Sequence, residues 1–244
     1  MMQILTIGRT EIPYAIRYSD RARRKRIVVT PDGVEVIAPA GTGISGEGGV
    51  TAFVNTKRRW MFDAVREVAA RQGKLLTQHY SSGAKLQYRG RWLMLDVQSA
   101  AVDSVQVTCR SKFHILVPER LKGTRRLKAV QAALDEWLRE RALRDLQAFV
   151  RAHSANLGVT AAGCRLAEAK HAWGTCGKDD VIRVHWRLIQ APKVAMEYVV
   201  AHEVAHLLYR NHGAAFWRKL GEMMPGWAEA KDMLERWEGE HRAV

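Results

Sequence analysis

The sequence predicts an α+β protein in two parts, β-rich with one helix over residues 1–120 and mainly helical over residues 121–244. Three observations carry this. Short alternating apolar segments separated by turn residues fill most of the first half. An apolar stripe at helical spacing opens the second half, and two short strands followed by a helical stretch from Pro192 complete it. With 244 residues, 47% hydrophobic and 26% charged, the chain is long enough to bury a core unaided, and no segment is polar enough to require disorder.

Taken in order, residues 14–18 and 26–30 read as strands, and Pro31-Asp32-Gly33 turns the second into residues 34–38, a hairpin signal. Gly41, Gly43 and Gly46 then match the dinucleotide-binding glycine pattern between a strand and a helix. The strand before them belongs to a hairpin, however, and no parallel strand with a terminal acid follows, so a loop is the better reading. From 50 to 71, Phe53, Val54, Met61, Ala64, Val65 and Val68 recur at helical spacing. Residues 85–88, 92–97, 105–109 and 113–117 form a second β-rich stretch with turns at Arg89-Gly90-Arg91 and Arg110-Ser111-Lys112, and such short links favour antiparallel pairing. The weakest join lies near 118–123.

Residues 124–157 carry Leu127, Val130, Leu134, Trp137, Leu138, Leu146 and Val150 on one stripe, with Asn156 and Gly158 as stop signals. Two strands follow, at about 165–169 and 181–188, joined through the segment from Trp173 to Asp180. No repeat or low-complexity tract is visible.

Charge and cysteine content narrow the function. The 39 Lys and Arg outnumber 25 Asp and Glu, giving a formal charge of +14 that favours polyanions such as nucleic acid or nucleotides. Much of the excess lies in Arg21-Ala22-Arg23-Arg24-Lys25-Arg26, Lys57-Arg58-Arg59 and Arg125-Arg126, and such runs are ordinarily solvated faces. Cys109, Cys164 and Cys176 are odd in number and unpaired by motif, which suits reduced thiols. No signal-peptide pattern or run of about 18 apolar residues is present, so a cytoplasmic location without a membrane partner is expected.

The chemistry concentrates in His202-Glu203-Val204-Ala205-His206. On a helix the two histidines stand roughly 40° apart around the axis and about 6 Å along it, so both imidazoles reach one ion. A catalytic Zn2+ takes three protein ligands and leaves a position for water, and Glu203 beside them can take that water's proton. Another divalent transition metal would suit the same donors. His212 is the third candidate ligand. On an unbroken helix it would lie roughly 9 Å beyond His206 on another face, so the helix must stop first. Asn211 and Gly213 are residues that accept the left-handed conformation ending a helix. Glu222 and Glu229 are rival third ligands. The HExxH-x5-H spacing is that of metzincin-like sites, although Tyr209 stands where those enzymes have glycine.

Trp173-Gly174-Thr175-Cys176, Trp186-Arg187-Leu188-Ile189, Ala191-Pro192, the stretch from Tyr198 to His206, Asn211-His212 and Phe216-Trp217 together resemble the YgjP-like metallopeptidase-fold family, related to Wss-like and SprT-like zinc proteases. Ile12-Pro13-Tyr14, the Arg-rich first hairpin, Ala38-Pro39 and the helix from Phe53 to Trp60 extend the likeness toward the N-terminus. The resemblance implies a zincin-like C-terminal part with the active helix packed on a small antiparallel sheet, His202, His206 and His212 as ligands, and Glu203 as general base. Thr175 departs from the family's usual serine but keeps a hydroxyl, and the loop from Gly41 to Gly49 is longer.

Neighbouring residues are weaker candidates. Cys176 reads as apolar filler rather than a ligand. Arg183 and Arg187, alternating on one expected strand, are candidate anion contacts or a solvated face. His79, His114, His171 and His185 lack metal spacing, and Phe216 and Trp217 read as packing. The expected function is a zinc-dependent metallopeptidase acting on a peptide or protein. The alternatives are a metal-dependent nucleoside triphosphate pyrophosphatase of UTP type, which the family resemblance and the charge suggest, and a nucleic-acid-associated protein with weak or latent protease activity.

Overall fold

The computed structural model describes residues 2–8, 10–168 and 172–241, and the backbone alone of residue 241. The chain forms two compact units, Met1–Gln78 and His79–Val244. Among the described residues no helix is long and apolar enough to cross a membrane.

In the first unit, β1 (Met2–Ile7) pairs antiparallel with β2 (Thr10–Ser19), and β3 (Arg26–Thr30) with β4 (Gly33–Pro39). The second pair is the hairpin expected at Pro31-Asp32-Gly33. The strand order is β1-β2-β4-β3, with β2 and β4 parallel. Alternation turns Ile12, Tyr14, Ile16, Val34, Val36 and Ala38 to one face, where they share a core with Val50, Val54 and Met61. The single helix expected from 50 to 71 is two, α1 (Val50–Thr56) and α2 (Arg58–Tyr80), separated at Lys57, whose φ of −105° and ψ of 10° depart from helix. The glycine-rich loop before α1 is closed upon itself. The amides of Val50 and Thr51 donate to the carbonyls of Gly43 and Ile44, so the helix-opening N–H groups a pyrophosphate would need are already occupied.

The second unit repeats this backbone path. Its strands β5 (Lys85–Tyr88), β6 (Arg91–Ala100), β7 (Gln106–Cys109) and β8 (Phe113–Pro118) are ordered β5-β6-β8-β7. Antiparallel pairing, expected throughout, holds within each hairpin, but β6 and β8 are parallel. Successive strands do reverse direction; β7 crosses to the sheet edge, which leaves β6 and β8 as neighbours running the same way.

Helix α3 (Gly123–Leu157) buries Val130, Leu134, Leu138, Ala142 and Leu146, and ends at Gly158, whose φ of 69° is the left-handed cap expected there. β9 (Gly163–Ala167), β10 (Gly174–Cys176) and β11 (Val181–His185) form a sheet ordered β10-β11-β9. It is mixed rather than antiparallel, because β11 pairs antiparallel with β10 but parallel with β9. β11 stops at His185. The chain then enters a 3-10 turn, Trp186–Ile189, in which the His185 ring accepts a bond from the Arg187 amide, so Arg187 does not alternate with Arg183 on a strand. Residue 169, at the end of the expected first strand, and His171 lie outside the described residues. Three helices complete the unit, α4 (Lys193–Ala205), α5 (Ala214–Met223) and α6 (Trp227–His241).

The join expected near 118–123 lies inside this second unit, and the reason is packing. The Arg89 and Gly90 amides donate to the carbonyls of Ile189 and Gln190 at 2.8 and 2.9 Å, and Trp237 donates to buried Gln87 at 2.8 Å. Leu95, Phe113 and Ile115 share one core with Leu134, Met196 and Phe216. The β5–β8 sheet is therefore a floor for the helices. Gly90 is required at its tip: its φ is 76°, and a Cβ there would sit 3.1 Å from Pro192, just ahead of α4.

Candidate active site

Helix α4 is buried on most of its circumference, by Ala195, Met196, Val200, Ala201, Val204 and Ala205 among others, and lies against α3, α6, β10 and β11. Polar groups on such a helix are held inside the protein. Glu203 is 7% exposed, and His202 and His206 are half-buried.

The helix ends one residue before His206. The amides of Leu207 and Leu208 donate to Val204 and Ala205, three residues back, and Tyr209 also donates to Ala205. These tighter bonds finish the helix without a left-handed residue. Neither Asn211 nor Gly213 has a positive φ; Gly213, at φ −70° and ψ 176°, is the extended residue that opens α5. Leu208, which follows this early stop, is 48% exposed.

The turn brings His212 back onto the helix end. The ring centroids of His202, His206 and His212 form a nearly even triangle with sides of 4.9, 4.9 and 4.7 Å, and a nitrogen from each lies within 4.8 Å of the other two. Among the described residues this is the one group of three His, Cys, Asp or Glu side chains that could hold an ion. Glu222 and Glu229 are not in it, and Glu222 pairs with Lys219 at 2.9 Å. Phe216, fully buried, stands with its ring 4.8 Å from each of the three imidazoles. Trp217, Trp227 and Tyr198 continue this aromatic backing by stacking in series.

The protonation chemistry of the cluster follows from its surroundings. His206 Nδ1 is 2.8 Å from the Tyr209 carbonyl, which can only accept, so Nδ1 carries the proton and Nε2 is left with its lone pair. Burial, and then the neighbouring imidazoles, hold His202 down to about 4. Burial likewise lowers His206. Near neutral pH these rings are uncharged donors. The Nε2 atoms of His202 and His212 are 2.8 Å apart, and His202 Nδ1 is buried without a partner. Three converging imidazoles with no carboxylate among them suit a divalent transition metal.

Burial pushes Glu203 up to about 7, partly opposed by a hydrogen bond from the Cys176 amide. That contact follows from strand geometry. The Trp173 carbonyl accepts from His185 and the Gly177 amide donates to Val181, so the peptide groups of Gly174 and Cys176 face away from β11. A Cβ on Gly174 would lie 2.7 Å from Val199 Cγ1 and 2.8 Å from Glu203 Cγ, so only glycine lets β10 approach α4 this closely. A glycine inside a strand signals such an approach, but in the sequence Gly174 falls in the link between two expected strands and β10 has no signal of its own.

Arg210 had no sequence signal. It donates to the Gly177 carbonyl at 2.9 Å and pairs with Asp180, and its Nη1 lies 3.6 Å from Cys176 Sγ, tying the His206–His212 turn to the β10–β11 hairpin. Arg183 is engaged by Asp179 within that hairpin, and Arg187 lies over the Trp186 ring. Burial raises the Cys176 thiol, which favours its protonated form, and its sulfur is not part of the imidazole group.

A family model described as YgjP-like, metallopeptidase domain, matches residues 23–237. Among solved structures, the metallopeptidase zymogen of Pyrococcus abyssi abylysin is similar to this chain, with 22% identity and a TM-score of 0.35 over 39% of this chain and 93% of that one. No curated protein matches.

Proposed function

Because the chain belongs to the YgjP-like metallopeptidase-domain family, we propose that it is a zinc-dependent peptidase in which His202, His206 and His212 hold the ion and Glu203 is the general base. The observation that carries this reading is the convergence of three imidazoles on one point beside a buried carboxyl group. In this reading α4 on the β9–β11 sheet is a zincin-type arrangement. What a zinc ion supplies when bound is a lowered pKa for water and polarisation of the scissile carbonyl.

The protein's own residues do the rest. The imidazoles fix the ion, and the bond from His206 Nδ1 to Tyr209 aims that ring. Glu203, held buried beside the imidazoles, takes the proton of the attacking water and passes it to the departing amine. Phe216 and Trp217 keep water from the rear of the cluster.

Two features favour a peptide over a nucleotide. Among the described residues β10 has no strand on its outer side, and although the Cys176 amide is taken by Glu203, the outward Gly174 peptide groups and Cys176 carbonyl leave an edge along which an extended peptide can pair. The arginines of this region, Arg183 and Arg210, are neutralised by Asp179 and Asp180 and are not free to grip phosphates. The test is a side-by-side assay of metal-loaded protein on a peptide panel and on nucleoside triphosphates. Peptide cleavage that falls about 10²- to 10⁴-fold in Glu203→Gln is expected. Triphosphate hydrolysis lost in the same variant, without peptide cleavage, would overturn the peptide reading.

A further inference from the structure

The turn between β2 and β3, with the first residue of β3, places five cations in six residues, Arg21, Arg23, Arg24, Lys25 and Arg26. It does not simply project into solvent. On β4, Val34, Val36 and Ala38 face the core, so Ile37 faces the other side of the sheet; it is nevertheless only 3% exposed. The turn lies over it and leaves a recess of about 480 Å³ with Ile37 in its wall. All five cations line this recess, together with Ser19 and Ala22, and no carboxylate does. A second recess of about 360 Å³ shares Arg23, Arg24 and Lys25 and is bounded by the glycine-rich loop, where Glu47 is its acidic residue.

The turn is held in place at its centre. Lys25 donates to the Gly48 carbonyl and sits 5.8 Å from the Phe53 ring centroid. Among the described residues, Arg21, Arg23, Arg24 and Arg26 have no carboxylate at ion-pair distance, whereas Arg17 is paired with Glu35. Unneutralised like charges gathered around a recess repel one another, and a polyanion relieves that cost.

We propose that the Arg21–Arg26 turn and the adjoining glycine-rich loop form a sequence-independent binding site for the phosphodiester backbone of nucleic acid. Two recesses flanking three shared cations make a track for successive phosphates rather than a cup for one anion. Neither recess is lined by an aromatic ring for stacking or by an Asn or Gln for reading base edges, so the phosphates alone are contacted. Neither is lined by an exposed large apolar side chain of the kind that enters a bilayer. The site lies within the first unit and does not depend on the metal reading.

The experiment is fluorescence anisotropy of the full chain with a labelled single-stranded DNA of mixed sequence, across a salt series. Two charge-matched variants are compared, Arg23→Gln/Arg24→Gln/Arg26→Gln and Lys57→Gln/Arg58→Gln/Arg59→Gln. The first should reduce the slope of log K against log salt by about 2 and weaken binding about 10-fold or more near 0.1 M salt. The second should stay within about twofold of the wild type, and scrambling the DNA sequence should change nothing. The single variant Arg24→Gln, with an unchanged melting temperature, should show about a third of the slope loss, which separates a lost contact from a lost fold. Equal losses in the two triple variants, no binding by the wild type, or stronger binding to anionic phospholipid vesicles than to DNA would overturn the proposal.

Discussion

Replacing Glu203 with Gln should stabilise the metal-free protein above neutral pH while leaving it nearly unchanged near pH 4.5. Glu203 is 7% exposed, and burial raises it from its ordinary 4.5 to about 7. Between those values the folded chain holds a proton that the unfolded chain has released, so its contribution to stability is fully present below 4.5 and is lost as the pH rises through about 7. At about 1.4 kcal/mol per pH unit, the loss reaches about 3 kcal/mol. Gln has nearly the same shape, accepts the same bond from the Cys176 amide and carries no charge to bury. For a folded unit of this size, about 3 kcal/mol corresponds to about 6–12 °C in melting temperature. The assay is calorimetry with chelator at pH 4.5 and pH 8. His202, held down to about 4, gives stability that is present above 6.5 and lost as the pH falls through about 4; it acts equally in both proteins and drops out of the difference. A variant that melts below the wild type at pH 8, or differs from it equally at both pH values, would refute the reasoning. Saturating zinc should shrink the gain, because the ion's charge compensates the carboxylate.

Two further substitutions probe the supports of the site. Gly174→Ala places a methyl group 2.7 Å from Val199 and 2.8 Å from Glu203, so it should cost about 1–3 kcal/mol in urea unfolding and lower kcat/KM about 10-fold or more by displacing the carboxyl group. Arg210→Ala and Asp180→Asn should each weaken zinc about 10-fold in chelator competition, with the double variant little worse than either, since both cut the same tie to the ligand turn.

The sequence disclosed the periodic elements and the histidine spacing, because both depend on local geometry. The α3 stripe and the Gly158 stop, the hairpin at Pro31-Asp32-Gly33 and the gathering of His202, His206 and His212 all rest on residues near one another in the chain. What it hid is non-local. Nothing near Gly90 announces Pro192, or near Gln87 announces Trp237, so local pattern groups the second β-rich stretch with the N-terminal part rather than with the helices it underlies. The parallel pairing of β6 with β8 depends on which side β7 crosses to, which local pattern does not encode. Arg210 lies beside the motif, but its purpose is visible only when Asp180 and Gly177 are folded against it. The turn after His206 was expected from Asn211 and Gly213, yet three-residue backbone bonds, which have no side-chain signature, end the helix first.

The central claim is that His202, His206 and His212 together hold a metal ion, and metal analysis of the purified protein by plasma mass spectrometry tests it most directly. One zinc per chain is expected in the wild type, with near-complete loss in His202→Ala and His206→Ala variants that retain the wild-type circular dichroism spectrum. A wild-type chain without bound divalent transition metal after zinc loading and desalting, or folded variants that keep as much zinc as the wild type, would contradict the account.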